Sequence, residues 1–136
     1  MPNDTINDIA NLRLLAWTDT EARVSIPNTE YHLTLDHAPG IDAPTDIGRR
    51  MSGRIIGKAL KMANPAAGGN YIEPLDGQPR IVQGTVIATA EATRQLLVDI
   101  VVPVWVEMAP GQSATNFTTG DVVTFYLERG TRFEPV

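Results

Sequence analysis

Cysteine is absent from this chain of 136 residues, and several other residue types are scarce. Without thiols the chain forms no disulfide, holds no metal through thiolates and has no cysteine nucleophile. It has only two His, two Trp, three Tyr and three Phe, so imidazole chemistry and aromatic surface are also limited.

Long hydrophobic runs are absent as well. The longest uncharged apolar run covers residues 100–106, whereas a membrane helix needs about 20 residues. The first four residues are polar and acidic, without the basic flank and apolar run of a secretory signal. The sequence predicts no transmembrane segment, no signal peptide and no membrane partner. It favours a cytoplasmic protein or a component of an intracellularly assembled particle, built as one domain over residues 1–136.

Charge is unevenly distributed along the chain. A formal net charge of −5 gives the chain no overall attraction to phosphate backbones. Five of the eleven basic residues nevertheless fall between positions 49 and 61. They are Arg49, Arg50, Arg54, Lys58 and Lys61. On a strand, Arg50, Arg54 and Lys58 project from one face, and we call these three residues the basic stripe.

Short apolar segments separated by turn residues predict an all-β fold. Strands are expected at residues 12–17, 24–26, 31–36 and 122–128, with proline- and glycine-containing breaks between several of them. Residues 1–11 predict an N-terminal arm or one short helix. Residues 64–79 are rich in proline and glycine and predict a long loop, the kind of segment that often carries function or assembly contacts.

A pattern that begins at residue 49 recurs 31 residues later, at residue 80. Alternate positions in both copies are apolar or small, which suits the inward face of a tightly coiled sheet. These rows are Met51, Gly53, Ile55, Gly57 and Ala59, and then Val82, Gly84, Val86, Ala88 and Ala90. The second copy is rich in β-branched residues, so both copies are predicted to be strands. A glycine inside such a row marks a bend or a close backbone approach.

The clearest hairpin joins a strand at residues 81–91 to one at residues 95–107. Every second residue of the later strand, from Leu96 to Val106, is apolar and predicts a buried face. Pro103 lies on the other row and has no N–H for a ladder, which places that half of the strand at an edge or a bulge. An apolar edge strand with an exposed Trp105 would invite pairing with another chain.

Five or six strands, tight coiling and at most one short helix predict a small antiparallel β-barrel. In strand count and pattern the chain resembles the OB-fold class of five-stranded barrels, a class without a sequence signature. The resemblance implies a small OB-like barrel. A small β-sandwich is the alternative architecture.

Patterns for catalysis are weak in this sequence. Residues 48–55 contain two glycines but lack the Lys-Ser/Thr pair that follows the second glycine of a phosphate loop. No serine has the elbow or paired histidine of a catalytic triad. Glu73 and Asp76, in the predicted long loop, are a candidate carboxylate pair for acid–base chemistry. Solvated acids are common in loops, so we expect the chain not to be an enzyme.

A metal site is not favoured by the residues present. The two histidines, His32 and His37, lie near Asp36 and Asp42 in the sequence. On a strand, however, His32 and Asp36 would be about 13 Å apart in Cα, too far for one ion. We therefore expect no metal and no cofactor.

The sequence favours a non-enzymatic structural or interaction module that self-assembles or docks on a larger assembly. The uneven charge suits head-to-tail contacts between copies. The candidate interaction residues are Arg50, Arg54, Lys58, Tyr71, Pro103 and Trp105. The alternative is a barrel that binds single-stranded nucleic acid through the basic stripe. That function needs an aromatic side chain beside the bases, and only a sheet neighbour such as Tyr126 would supply one.

Overall fold

The computed structural model describes residues 7–65 and 68–136, and over these ranges the chain is all-β, as predicted. The strands are β1 (Ala10–Trp17), β2 (Glu21–Ser25), β3 (His32–Asp36), β4 (Arg50–Ala63), β5 (Tyr71–Glu73), β6 (Asp76–Gly77), β7 (Ile81–Ala90), β8 (Gln95–Asp99), β9 (Pro103–Glu107), β10 (Val122–Leu127) and β11 (Arg132–Pro135). Single turns of 3-10 helix occur at Glu91–Thr93 and Ala114–Asn116. Within the described ranges, no helix is long and apolar enough to cross a bilayer.

The strands form one mixed sheet of eleven strands over the described part of the chain. The main order is β1-β2-β3-β11-β4-β10-β7-β8-β9, while β5 pairs with β7 and β6 pairs with β3. The β3–β11, β3–β6 and β4–β9 pairs are parallel. The prediction of a single barrel of five to six antiparallel strands is therefore wrong.

The long strand β4 accounts for the difference. Its 14 residues pair with β1, β11, β9 and β10 in turn. The pairings close two circuits, β1-β2-β3-β11-β4 and β4-β10-β7-β8-β9, and β4 belongs to both. A strand of one small barrel pairs with two neighbouring strands, whereas β4 pairs with four. Counting apolar segments in the sequence cannot detect this sharing.

One hydrophobic core contains residues from both circuits. The inward rows predicted for the repeated segment contribute Met51, Ile55 and Ala59 from β4, and Val82 and Val86 from β7. Both segments are strands, so the interpretation of the repeat as two strands with a buried inner face is confirmed.

The matching glycines of the two segments lie where neighbouring strands come close. A Cβ atom at Gly53 would overlap the ring of Phe133 on β11, and one at Gly84 would overlap the carbonyl oxygen of Asp99 on β8. Both glycines are thus required by close approach, as the sequence predicts.

The predicted strand at 95–107 is in fact two antiparallel strands, β8 and β9. The chain reverses at residues 100–102, where Val101 has a φ of 119° and its N–H donates to the Asp99 carboxylate over 3.1 Å. Strand β9 then pairs with β8 on one side and with β4 on the other. The prediction of a free edge is therefore wrong for Trp105, which lies between β8 and β4, whereas Pro103 pairs with β8 alone within the described ranges and lies at an edge as predicted.

Two other segments differ from the predictions. The predicted loop at 64–79 contains β5 and β6, and residues 66–67 within it lie outside the described ranges. Residues 1–6 of the predicted N-terminal arm also lie outside them. Residues 7–9 have no helical structure, and residues 10–11 already belong to β1.

Candidate interaction surface

The basic stripe lies on the outer face of β4, beside β9. Arg50 and Lys58 are exposed and Arg54 is partly exposed, whereas the residues between them on the inner row are buried. Strand β9 runs parallel to β4 here, with Trp105 opposite Ile56. Because of this pairing, candidate residues from two distant segments of the sequence come together on one face.

Asp8 joins the stripe to Trp105. Its Oδ2 accepts hydrogen bonds from Arg54 Nε and Trp105 Nε1, each at 2.9 Å. Burial alone would raise the pKa of Asp8, but these two hydrogen bonds and the Arg54 charge outweigh it and hold the pKa below its ordinary value. The Arg54 side chain and the Trp105 indole N–H thus already have a hydrogen-bond partner in the same molecule, and Trp105 is half-buried. The sequence gives no sign of this contact, since residue 8 lies far from both partners.

Trp105 also belongs to an apolar row that crosses three strands. Its neighbours in the row are Ile56 of β4 and Leu97 of β8, and both are buried although they occupy outward positions. The outer face is therefore partly covered where the two circuits meet. Leu97 is fully buried, although it alternates with the core residues Leu96 and Val98 and lies outside the main core cluster.

Arg50 and Pro103 meet at one end of this face. Together with Ile26, Pro27 and Val101 they line a shallow depression of about 250 Å³. Arg50 is exposed and Pro103 is half-buried. The structure thus brings these two candidate residues together, with Arg50 alone fully open to solvent.

Lys58 lies between two acidic residues. Glu107 is its cross-strand neighbour on β9, and the backbone N–H of Glu128 donates to the Lys58 carbonyl oxygen at 2.9 Å. Arg54 is paired with Asp8, and Lys58 has acidic neighbours, so two of the three basic residues of the stripe lie beside negative charges. This arrangement weakens the positive potential that attracts a phosphate backbone.

Tyr71, the remaining candidate, lies on a different part of the sheet. It is half-buried in β5, opposite Gln83 of β7. Its strand pairs with β7 alone in the described part of the chain, and β7 and β10 lie between it and β4. Tyr71 is therefore separated from the stripe by two strands.

One member of the candidate acid–base pair, Asp76, forms an ion pair within the molecule. Both Nη atoms of Arg23 donate to the Asp76 carboxylate at 2.8 Å. These hydrogen bonds, together with the Arg23 charge, lower the pKa of Asp76 although partial desolvation acts in the opposite direction. Glu73 is exposed on β5. Asp76 thus acts as the partner of Arg23 on the β2–β3 surface.

The two histidines have separate surroundings. His32 Nδ1 lies 3.8 Å from Asp76 Oδ2 on the surface. His37 is buried, stacks on Trp17 with ring centroids 3.9 Å apart, and has backbone carbonyl oxygens 2.7 and 2.8 Å from its ring nitrogens. Among the described residues no three His, Asp or Glu side chains are grouped to hold a metal ion.

A β-bulge lies where β4 meets β10, and sequence reasoning missed it. Met62 pairs with Phe125 and Ala59 pairs with Leu127, so two residues of β4 oppose Tyr126 alone. A bulge of this kind redirects side chains and shifts the alternation of the strand. The shift is visible in the burial of β4, where residues 60 and 61 are both exposed.

The bulge brings Leu60, Lys61 and Tyr126 together around a shallow, mainly apolar depression of about 370 Å³. We call these three residues the bulge patch. Tyr126 is 55% exposed and Leu60 is 45% exposed. Lys61 takes part in none of the ion pairs formed among the described residues. An exposed aromatic residue beside an exposed aliphatic one is typical of a binding surface.

A larger cleft of about 500 Å³ opens between β3, β11 and the loop that follows β3. Its lining includes Asp36, Ile41, Arg132, Phe133, Glu134 and Pro135, and we call it the β3–β11 cleft. Arg132 Nε donates to Glu134 at 3.1 Å. Asp36 lies between an acidic and a basic neighbour, because it pairs with Glu21 of β2 on one side and with Arg132 of β11 on the other.

Comparison with protein-family models, curated proteins and solved structures found no match. The resemblance to OB-fold barrels stays a prediction.

Proposed function

We propose that this chain is a non-enzymatic interaction module that assembles with further copies of itself through the bulge patch. The observation that carries this proposal is the β-bulge, because it turns Leu60, Lys61 and Tyr126 outward at one point. Tyrosine is among the side chains that contribute most to protein contacts, and exposed apolar groups gain free energy when a partner covers them.

The distribution of charge favours a second copy as the partner. Residues 18–46 hold six acidic residues against one basic residue, so this segment accounts for the whole formal charge of −5. The segment contains β2 and β3 of the first circuit, whereas the bulge patch with Lys61 belongs to the second. The rest of the chain is neutral overall, and Lys61 is the positive charge that the patch offers to the acidic segment of another copy.

The oligomeric state of the full chain tests this proposal. Size-exclusion chromatography with light scattering, at concentrations from about 1 to 100 µM, should show a mass that rises with concentration. The double variant Leu60→Ser/Tyr126→Ser should stay at the monomer mass of 14.8 kDa. The matched control is Ile87→Ser, which replaces another exposed apolar residue outside the patch and should assemble like the wild type. A wild-type mass fixed at the monomer value would overturn the proposal.

Binding of single-stranded nucleic acid is the second candidate function, and one observation favours it. Tyr126, exposed beside Lys61 on the strand next to the stripe, is the aromatic neighbour that such binding needs. The acids at Asp8, Glu107 and Glu128 count against it. Fluorescence anisotropy with a labelled oligonucleotide at low salt separates the two functions. Salt-sensitive binding that disappears in Lys61→Ala and Tyr126→Ala would replace self-assembly as the explanation of the patch.

A further inference from the structure

We infer that the bulge patch of one copy docks in the β3–β11 cleft of the next copy, so that the copies join head to tail. This inference rests on the proposed function, because it names the surface that receives the patch. The alternative within self-assembly is a symmetric contact in which two bulge patches face each other.

The patch and the cleft lie at different positions along the same strand. Strand β11, which forms one wall of the cleft, pairs with residues 53–56 of β4, and the bulge is at residues 60–61. At about 3.3 Å per residue the two sites are separated by roughly 20 Å along β4. The paired strand holds them apart, so the patch cannot fill the cleft of its own molecule and needs that of a second copy.

The apolar parts of the two sites are complementary. The solvent-accessible apolar lining of the cleft includes Ala38, Pro135 and Ile41, and Ile41 is 41% exposed, whereas Phe133 is buried beneath it. Its volume of about 500 Å³ falls in the range of roughly 300–1,000 Å³ typical of sites that enclose organic groups. Leu60 and Tyr126 beside the bulge are 45% and 55% exposed, and they present the apolar surface that the contact would cover.

The charges are complementary as well. Asp36 forms none of the ion pairs found among the described residues, and Glu21 lies opposite it on the neighbouring strand. Arg132, the residue of β11 that pairs with Asp36, donates its side-chain hydrogen bond to Glu134. A lysine from outside would add a second positive charge beside Glu21, Asp36 and Glu134. Lys61 of the incoming patch supplies it while the apolar side chains enter the cleft.

Such a contact has two different halves, so each half can be broken separately. The head variant is Leu60→Ser/Tyr126→Ser, which keeps the cleft intact. The tail variant is Ile41→Arg, which keeps the patch and places a positive charge where Lys61 would approach. Each variant alone should associate about 30-fold more weakly than the wild type, the effect of losing a strong contact residue.

Mixing the two variants gives the decisive result. One intact patch and one intact cleft remain between them, so an equimolar mixture should form a dimer that grows no further. The matched control for the tail variant is Ile47→Arg, an exposed residue of the same loop that does not line the cleft. This control should assemble like the wild type.

The outcomes separate the inference from the proposed function. A wild type that assembles while Ile41→Arg assembles equally well, or a mixture that stays monomeric, overturns the cleft as the receptor and leaves self-assembly standing. A monomeric wild type overturns both. Circular dichroism checks that each variant is folded. If Ile41→Arg does not fold, the exchanged pair Lys61→Glu with Asp36→Lys serves instead: each single change should weaken assembly, and their combination in one chain should restore it.

Discussion

Replacement of Gly84 by alanine should strongly destabilise the protein. A Cβ atom there would overlap the carbonyl oxygen of Asp99 and would lie 2.6 Å from a methyl group of Ile100 and 2.8 Å from one of Val98. The oxygen belongs to the backbone of a paired strand and cannot rotate away, so β7 and β8 must move apart. Gly53 has the same relation to β11, through the Phe133 ring and a backbone carbonyl oxygen.

The size of the effect follows from the kind of atom that the new methyl group meets. Overpacking in a core costs about 1–3 kcal/mol, and a clash with backbone belongs at the upper end. For a chain of 136 residues the unfolding entropy is about 0.29 kcal/mol per degree, so about 3 kcal/mol lowers the melting temperature by about 10 °C. A Cβ atom added at Gly57 would lie 2.9 and 3.1 Å from side-chain atoms. Gly57→Ala should therefore lower the free energy of unfolding by about 1 kcal/mol and the melting temperature by about 3 °C.

Thermal unfolding followed by circular dichroism, at one fixed protein concentration, measures these differences. The matched control is Gly69→Ala, where nothing lies within 4 Å of the added Cβ. This variant should melt within about 2 °C of the wild type. Melting temperatures for Gly53→Ala and Gly84→Ala that equal the control would refute the close approach of these strands.

Three further predictions concern stability. The pKa of Asp8 in the folded protein lies below its ordinary value of 3.8. The Asp8 carboxylate therefore stabilises the fold above that pH, and its contribution is lost as the pH falls through the folded pKa. The melting temperature of Asp8→Asn should fall less steeply than that of the wild type below about pH 4. Leu97→Ala empties a fully buried position and should cost about 3 kcal/mol in urea unfolding, whereas Leu60→Ala should change the monomer by less than about 0.5 kcal/mol. Tyr31→Phe removes the acceptor of the Ile72 N–H, which should cost about 1 kcal/mol and speed hydrogen exchange at that amide.

The strands of the repeated segment were predictable because their residues obey one simple rule. Alternate positions from Met51 to Ala59 and from Val82 to Ala88 are apolar or small, and all of them are buried. The glycines within these rows also had a physical reason that the sequence shows, since a strand keeps glycine where another backbone approaches.

The reversal at residues 100–102 could not be predicted in the same way. Residues 96, 98 and 100 before the turn and 102, 104 and 106 after it all face the core, so alternation continues through the reversal. The turn itself has Val101 where glycine or asparagine is usual for a positive φ. The Asp99 carboxylate, which accepts a hydrogen bond from the Val101 N–H, was the only local sign of the turn. One aspartate among apolar residues is weak evidence for a turn.

The candidate surface was predictable only in part. The spacing of Arg50, Arg54 and Lys58 gave the outer face of β4, but their partners come from residues distant in the sequence. Asp8 and Glu107 reach this face through tertiary pairing alone. The bulge patch depends on the register between β4 and β10, which the sequence of neither strand reveals.

The mass of the unmodified chain in solution, followed by sedimentation equilibrium from dilute to concentrated samples, tests self-assembly through two different surfaces most directly. We expect a mass that starts at 14.8 kDa and rises past the dimer, because a head-to-tail contact leaves a free patch and a free cleft at the ends. A mass that stops at the dimer would contradict the head-to-tail contact. A mass that stays at the monomer value at every concentration would contradict self-assembly itself.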